Sequence, residues 1–335
     1  MNKWNIIKEA SGTTRQGSIE FQNQSYIRKW EVLIDTQGKG ESSGIKYDVS
    51  SLHCVFQIEE KCTTGLTNVC TLQVFNLNHS TVNRILQAGY KIKISAGYEG
   101  DKYGVIFEGD IIQSFINYQN GIDEIVQILA IKGDRVLSQS FINDSLAQGS
   151  TPRQRAELIA NNADFKLGDT PNLDKQKQQL ARGKIFFGHT LDYLKNFGRE
   201  HFNNFFEIIE GKKLTVNLPD ANQQQKGNII DLNYTNGLIG HPVFSSEGIQ
   251  IKCLLDSRIK PNTFVKIDNN SIQRQYGQLT NGLTQSQLPI YDKDGIYRIL
   301  SIRHTGDTHS SQWQTEAIGV NPQKQIIGLD TESKK

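Results

Sequence analysis

Methionine is all but missing from this 335-residue chain, which has one, and prolines number only seven. Cysteine is scarce as well. Cys54, Cys62, Cys70 and Cys253 are the four, and none stands at the short paired spacing that closes a zinc site. An excess of either charge is missing too. The 37 basic and 35 acidic side chains leave a formal net charge of +2, which argues against a dominant nucleic-acid-binding surface and gives no reason to invoke an anionic membrane. No stretch approaches the roughly 20 apolar residues of a membrane-spanning helix. The segment Met1–Lys8 has no apolar run long enough for a secretory core. These absences read as a soluble chain made and folded in a reducing cytoplasm.

What is present is a polar chain rich in Asn, Gln, Ser and Thr, long enough for two or three domains with a real core. Cys54 and Cys70 alternate in phase with apolar neighbours (Phe56 and Ile58; Leu72 and Val74), as small buried hydrophobes do. Cys62 falls in a polar loop and takes no assigned role.

Residues 247–320 carry the organising pattern. A strand at Phe264–Ile267 is followed by a polar excursion and then by strands at Ile296–His304 and Gln312–Val320, joined by the turn Thr305–Ser310. The pattern occurs once before: Tyr90–Ile94, an excursion, Val105–Tyr118, a turn at Gln119–Gly121, and Glu124–Lys132. In local detail, Asp110–Phe115 answers Tyr297–Ile302, and Ala130–Gly133 answers Glu316–Gly319. Two copies of one β unit in one chain is the main structural inference.

The flanking elements complete the architecture. Residues 1–27 read as an arm. Trp30, Val32 and Ile34 share one face of a strand, and Thr36–Asp48 reads as a mobile loop. His53–Glu59 and Val69–Asn76 alternate as strands. A short helix follows, with Ser80 as N-cap, Ile85 and Leu86 inward, and Gly89 at its end. Five or six strands and no crossover helices favour a small antiparallel barrel over residues 28–146. Residues 147–226 read as an inserted α+β domain. There Thr151, Pro152 and Gln154 compose a capping box with proline at the first helical position. Thr190 opens a second helix with Leu191, Leu194 and Phe197 inward, and a hairpin joins 205–209 to 213–217. Residues 227–322 form the second barrel, with a polar loop at Tyr276–Leu288, and 323–335 a polar tail. The fold class is therefore mainly β, α+β overall: two related antiparallel β-barrels with a smaller α+β insert.

Catalytic chemistry is hard to find. His304, Asp307 and His309 gather around one turn, but turn aspartates commonly bond their own backbone. The other histidines have no ligand at metal spacing. No nucleophile elbow or phosphate loop is present. Glu59–Glu60 and Glu99 with Asp101 read as solvated turns and not as the facing carboxylates of a glycosidase. Lys91 and Lys93 alternate outward, as edge protection or as a partner surface.

Val69–Phe115, with Phe75-Asn76-Leu77-Asn78, Ala96-Gly97-Tyr98-Glu99-Gly100 and Ile106-Phe107-Glu108-Gly109-Asp110-Ile111, resembles the first barrel of contractile-tail phage baseplate hub proteins. Gly237–Pro242, Gly248–Pro261, His304–His309 and Trp313–Glu316 look like the second barrel of Mu-like hubs. The resemblance covers roughly residues 28–320. Two departures stand out. Ser310 occupies a position where that family usually has glycine, and Asn262 follows Pro261 where glycine is common; asparagine tolerates the left-handed backbone such a turn needs.

The resemblance implies a non-enzymatic virion protein of the tail baseplate, without cofactor or metal, assembled in the host cytoplasm. Three copies would make a pseudo-sixfold ring joining the hexameric tail tube, or a tube initiator, to the trimeric central spike. Wedge proteins would dock around it, and the tape measure and phage DNA would pass through in transit, with no stable membrane association. Trp30, Phe107, Ile111, Leu254, Leu255, Ile299 and Trp313 are the expected core or subunit-interface residues. The rival readings are a tail-associated cell-wall hydrolase and a carbohydrate-binding receptor-recognition protein. A secretion-system spike protein shares the barrel plan and would be expected to continue into a β-helix.

Overall fold

Alternation of apolar and polar residues dominates the chain, and strands dominate its structure. A computed structural model of the protein describes residues 27–36, 45–61, 68–119, 122–132, 140–163, 166–168, 173, 179–201, 206–210, 213–217, 229–245, 248–268, 273–274 and 295–321. The expected N-terminal arm up to residue 26, the polar tail and the loop Tyr276–Leu288, together with Cys62, lie outside these residues.

The N-terminal unit contains β1 (Arg28–Thr36), β2 (Lys46–Asp48), β3 (Cys54–Lys61), β4 (Val69–Phe75), helix α1 (His79–Ala88), β5 (Gly89–Tyr98), β6 (Gly104–Gln119) and β7 (Asp123–Ile131). Their order in the sheet is β3-β4-β7-β6-β5-β1-β2. Val32, Ile34, Phe56, Ile58, Leu72, Val74, Ile94 and Phe107 are fully buried, so the expected inward faces of these strands are the observed ones. Cys54 and Cys70 are buried thiols on that face. Helix α1 starts two residues earlier than Ser80 would set it. The Asn78 side chain accepts from the Ser80 amide at 2.9 Å, making Asn78 the cap, and asparagine caps as well as serine does.

The insert packs on its own core. Strand β8 (Phe141–Leu146) pairs antiparallel with β10 (Lys184–His189), and β9 (Lys166–Leu167) pairs with the hairpin β11 (Phe206–Glu210) and β12 (Lys213–Asn217). Helix α2 (Pro152–Asn162) has the capping box in place: the Thr151 hydroxyl accepts from the Gln154 amide, and the Gln154 side chain from the Thr151 amide. Helix α3 (Thr190–His201) adds Leu194 and Phe197 to a cluster with Ala156, Ile159 and Phe186. Ile142 of β8 belongs to this same cluster. The insert's packing therefore starts at β8, ahead of the boundary expected after residue 146.

The C-terminal unit contains β13 (Ile229–Leu232), β14 (Val243–Ser245), β15 (Gly248–Leu254), β16 (Phe264–Ile267), β17 (Gln273–Arg274), β18 (Ile296–Asp307) and β19 (Trp313–Val320). Its order β14-β15-β19-β18-β16 repeats β3-β4-β7-β6-β5 strand for strand. Both units also carry a bulge at the same place. It falls in β6 between Ile111 and Gln113, opposite Ala130 and Leu129, and in β18 between Ile299 and Ser301, opposite Gly319 and Ile318. The repeat expected from sequence is thus present as topology, with a corrected register: Asp110 corresponds to Arg298, Ile111 to Ile299 and Ala130 to Gly319.

The two units are not separate bodies. Residues 301–307 of β18 pair with β3, and one continuous 14-stranded sheet results. The pairings among the described residues trace an open path and not two closed barrels. Strand β18 also runs on through Asp307, so Thr305 and Gly306 belong to the strand and not to the turn. Among the described residues no helix is long and apolar enough to cross a membrane.

The backbone at Asn262 is left-handed, with φ of 69°, as the sequence reading required. Asn262→Gly is expected to hold or slightly raise stability, and Asn262→Val to lower it by about 1–2 kcal/mol. Urea unfolding midpoints of the two variants check this.

Candidate functional site: the seam between the units

The seam starts from a length mismatch. β18 has 12 residues and β16 has four. The excess of β18 needs hydrogen-bond partners, and β3 supplies them from Lys61 opposite Ser301 to Val55 opposite Asp307. At its end the ladder continues through the turn: the Thr308 amide donates to Cys54 O at 3.0 Å, and the Cys54 amide to the Thr308 hydroxyl at 3.0 Å.

One face of the seam is aromatic. Trp313 of β19 is buried among first-unit residues. Its ring meets Trp30 edge-on at 5.8 Å and Phe56 at 5.4 Å. Its indole N–H donates to Gly97 O at 3.2 Å, and the Arg28 guanidinium lies 5.5 Å from the ring centre. Leu255 is fully buried in the same cluster, with half-buried Leu254 packed against it. Gly306 stands opposite Phe56, and a Cβ there would come within 2.2 Å of the ring. Glycine at this position is what lets the aromatic lie flat across the ladder.

The other face carries a row of charges in direct register across four strands. Lys252 is opposite Glu316, Glu316 opposite Arg303, and Arg303 opposite Glu59. The separations are 3.7, 3.9 and 2.9 Å. Exposed pairs of this kind contribute about 0–1 kcal/mol each, against about 3–5 kcal/mol for a buried tryptophan. The aromatic face therefore supplies the stability. The charge row supplies register, because a one-residue slip would turn every member to the opposite face.

A groove of ≈ 540 Å³ runs along this face, lined in part by Glu59, Arg303, Glu316, Lys252, Ile239 and His241. Glu59 and Glu316 share it, yet Arg303 sits between them and binds both. A glycosidase acid sits in an apolar pocket, and neither carboxylate does. Glu59 and Glu60 are strand residues and not a solvated turn. Successive strand side chains point oppositely, so Glu60 is buried against Lys132 while Glu59 joins the row.

The turn at the seam's end is a hydrogen-bonded cap. Asp307 accepts from the His309 amide at 2.8 Å and the Ser310 amide at 3.2 Å. His53 Nε2 lies 2.8 Å from the same carboxylate. The His53 ring stacks between Phe75 at 4.2 Å and His309 at 4.4 Å. Burial pushes the Asp307 carboxyl up, but the bonds from His309, His53 and Ser310 outweigh that and hold it below its ordinary value. His304 does not join this cap. It points into the core, with Nδ1 2.8 Å from the Thr315 hydroxyl. Among the described residues no three metal-ligating side chains converge.

A polar lock closes the seam's flank. Asp256 is buried and accepts from Arg258 Nε at 2.9 Å and Nη2 at 2.7 Å, and Arg258 reaches on to Asp101 of the first unit. The hydrogen bonds that Arg258 donates to Asp256 hold its guanidinium above its ordinary value. Lys102, also buried, donates to Asn236 O, while the Ser257 amide donates to Lys102 O at 3.1 Å. The Leu254–Pro261 motif thus docks the loop 99–103 and is structural.

Five of the seven expected residues are buried: Phe107, Ile111, Leu255, Ile299 and Trp313; Trp30 and Leu254 are half-buried beside Trp313 and Leu255. Ile111 and Ile299 occupy one position in the two units, just before the bulge. No seam role was read from the sequence for His53, Phe56, Glu59 or Arg303. The one available signal was the length of β18, too great for the strand before it.

A family model described as "Baseplate hub gp41" matches residues 46–272. Among solved structures the fold is similar to the tail protein from Neisseria meningitidis MC58, with TM-score 0.52 and 10% identity over 88% of this chain and 97% of that one. It is also similar to the 43 kDa tail protein of prophage MuSo2 from Shewanella oneidensis, with TM-score 0.50 and 10% identity over 88% and 98%. No curated protein matches the sequence.

Burial holds the His304 imidazole down to about 3 from an ordinary 6.5, with Lys132 and Lys260 adding to the effect. The folded value lies below the unfolded one. Its contribution to stability is therefore complete above pH 6.5 and is lost as pH falls toward 3. Between about pH 6.5 and 4 the native chain is expected to lose up to about 3 kcal/mol from this group, and His304→Gln to show a flatter profile. Urea titrations across that range measure the difference.

Proposed function

The chain belongs to the baseplate hub gp41 family, and from that premise we propose a non-enzymatic, homotrimeric ring at the centre of a phage tail baseplate. Three chains would present six copies of one sheet unit, so that a threefold assembly imitates a sixfold collar. The collar would mate with a hexameric tail tube or tube initiator on one side and a trimeric central spike on the other. Wedge proteins would dock on its rim, and the tape measure and DNA would pass through its opening. As a baseplate protein it is a component of the virion, and we place its assembly in the host cytoplasm.

The observation that carries this reading is the strand-for-strand repeat of β3-β4-β7-β6-β5 as β14-β15-β19-β18-β16. One subunit thereby holds two equivalent faces of the same topology. In the assembled ring we propose that each unit curves into a barrel wall, over residues 28–146 and 227–322, with the α+β insert outside it. The half-buried pair Trp30 and Leu254 sits where the two units meet, and the buried residues Phe107, Ile111, Leu255, Ile299 and Trp313 hold each wall rigid.

Negative-stain imaging with mass measurement tests the proposal: a three-chain particle with an open centre and threefold symmetry is expected. A particle of one or two chains at every concentration would overturn it. Leu254→Asp is expected to abolish the ring, because an unpaired carboxylate would be forced into an apolar junction, and rings from that variant would contradict the placement of Leu254.

A further inference from the structure

β6 and β18 hold the same place in the two units, yet their outer edges differ. In β18 the stretch Ser301–Asp307 pairs with β19 on one side and β3 on the other. The corresponding stretch of β6, Gln113–Gln119, pairs with β7 on one side and with no strand among the described residues on the other. Three large apolar side chains stand exposed at this end: Ile112 at 46%, Tyr118 at 68% and Ile122 at 86%. An open strand edge beside exposed apolar groups is ordinarily covered by another element.

We infer that this half of β6 is a docking edge and that residues 241–245 of a second copy of this chain occupy it. The inference rests on the ring reading above and names the contact that closes the ring. The partner segment follows from the repeat. Ile58 pairs with Cys70 and Phe244 with Ile249, while Cys70 faces Ala130 and Ile249 faces Gly319, so Phe244 is the counterpart of Ile58. His304, which faces Ile58, is the counterpart of Ile116. Transferring the seam's register places Ile116 opposite the neighbour's Phe244, Asn117 opposite Val243, and Tyr118 opposite Pro242.

The chemistry suits that register. Ile116 and Phe244 are both apolar and half-buried in the single chain, each packed against its own unit's core. By the same correspondence the backbone groups of Ser114, Ile116 and Tyr118 face outward; Phe244 can exchange both bonds with Ile116, while Pro242, which has no N–H, can only accept from the Tyr118 amide. Among the described residues the β14 edge carries β17, through two residue pairs. The transferred ladder offers five, from Phe115 to Gln119, so docking displaces the shorter one. The two edges differ from each other, which makes the contact head-to-tail. Such contacts generate closed rings when the rotation per subunit divides a full turn. Seams within a chain would then alternate with seams between chains.

Disulfide trapping in the full chain tests this. Thr308 donating to Cys54 puts hydrogen-bonded pairs at the even positions of β18, which leaves Thr305 opposite Gln57 as a non-bonded pair. Asn117 and Val243 inherit that geometry, with Cα atoms about 4.5 Å apart, close enough for a disulfide. Asn117→Cys with Val243→Cys is expected to give covalent oligomers up to a closed trimer on oxidation. Each single variant, and the off-register pair Gln113→Cys with Val243→Cys, is expected to give none. Mass measured before oxidation separates the failures. A three-chain mass without in-register crosslinking, or with equal crosslinking off register, overturns the edge and leaves the ring reading standing. A one-chain mass at every concentration overturns both. Tyr118→Pro is the second variant, since it removes an outward N–H at an exposed position. It is expected to keep the native urea midpoint and lose the three-chain mass, and retention of that mass overturns the inference.

Discussion

The pairing of β18 with β3 is the constraint on which the rest of the structure depends. It spends the surplus length of one strand on a partner nearly 250 residues away in the chain. Every other feature of the seam follows from that alignment. Trp313 reaches the first unit's core only because β19 is carried there by β18, and Gly306 is needed only because Phe56 then lies across it. The Asp307 cap and the charge row through Arg303 and Glu59 end and index the same ladder. Buried aromatic area sets the strength of the junction, and exposed charge sets its register.

Local patterns were the part legible in the sequence. Period-two alternation located β1, β3, β4 and β5 and their inward faces, because each is half-buried. The capping box at Thr151 located α2, because cap chemistry is encoded within four residues. The left-handed backbone at Asn262 was expected from the resemblance, which usually has glycine there, and asparagine tolerates that geometry. The repeat was visible too, but its register was not. A bulge shifts the pairing by one residue, and no side chain marks the bulged position in either β6 or β18. Ala130 was matched to Glu316, three residues from its counterpart Gly319, because short alternating strands align about equally well at several offsets.

The seam was not legible, because pairing between distant strands leaves no local trace. His53 seemed isolated in the sequence and proves to be stacked and bonded at the end of the ladder. Glu59 and Glu60 looked like one acidic turn and lie on opposite faces of one strand. The motif Leu254–Pro261 stood out as a resemblance, and its physical role, docking the 99–103 loop through Asp256 and Arg258, needed coordinates to see. A structural family and a junction of this kind agree: the conspicuous residues hold parts together, and the charged ones are already satisfied by one another.

The central claim is that the seam makes the two repeated units one cooperative body. Native-state hydrogen exchange tests it most directly. The account predicts that amides of β3 and of β18 from Ser301 to Asp307 exchange with the same free energy as the buried strands β4 and β15 on either side. Exchange of the 301–307 amides at a clearly lower free energy, with each unit's core still protected, would show two bodies merely in contact and would contradict it.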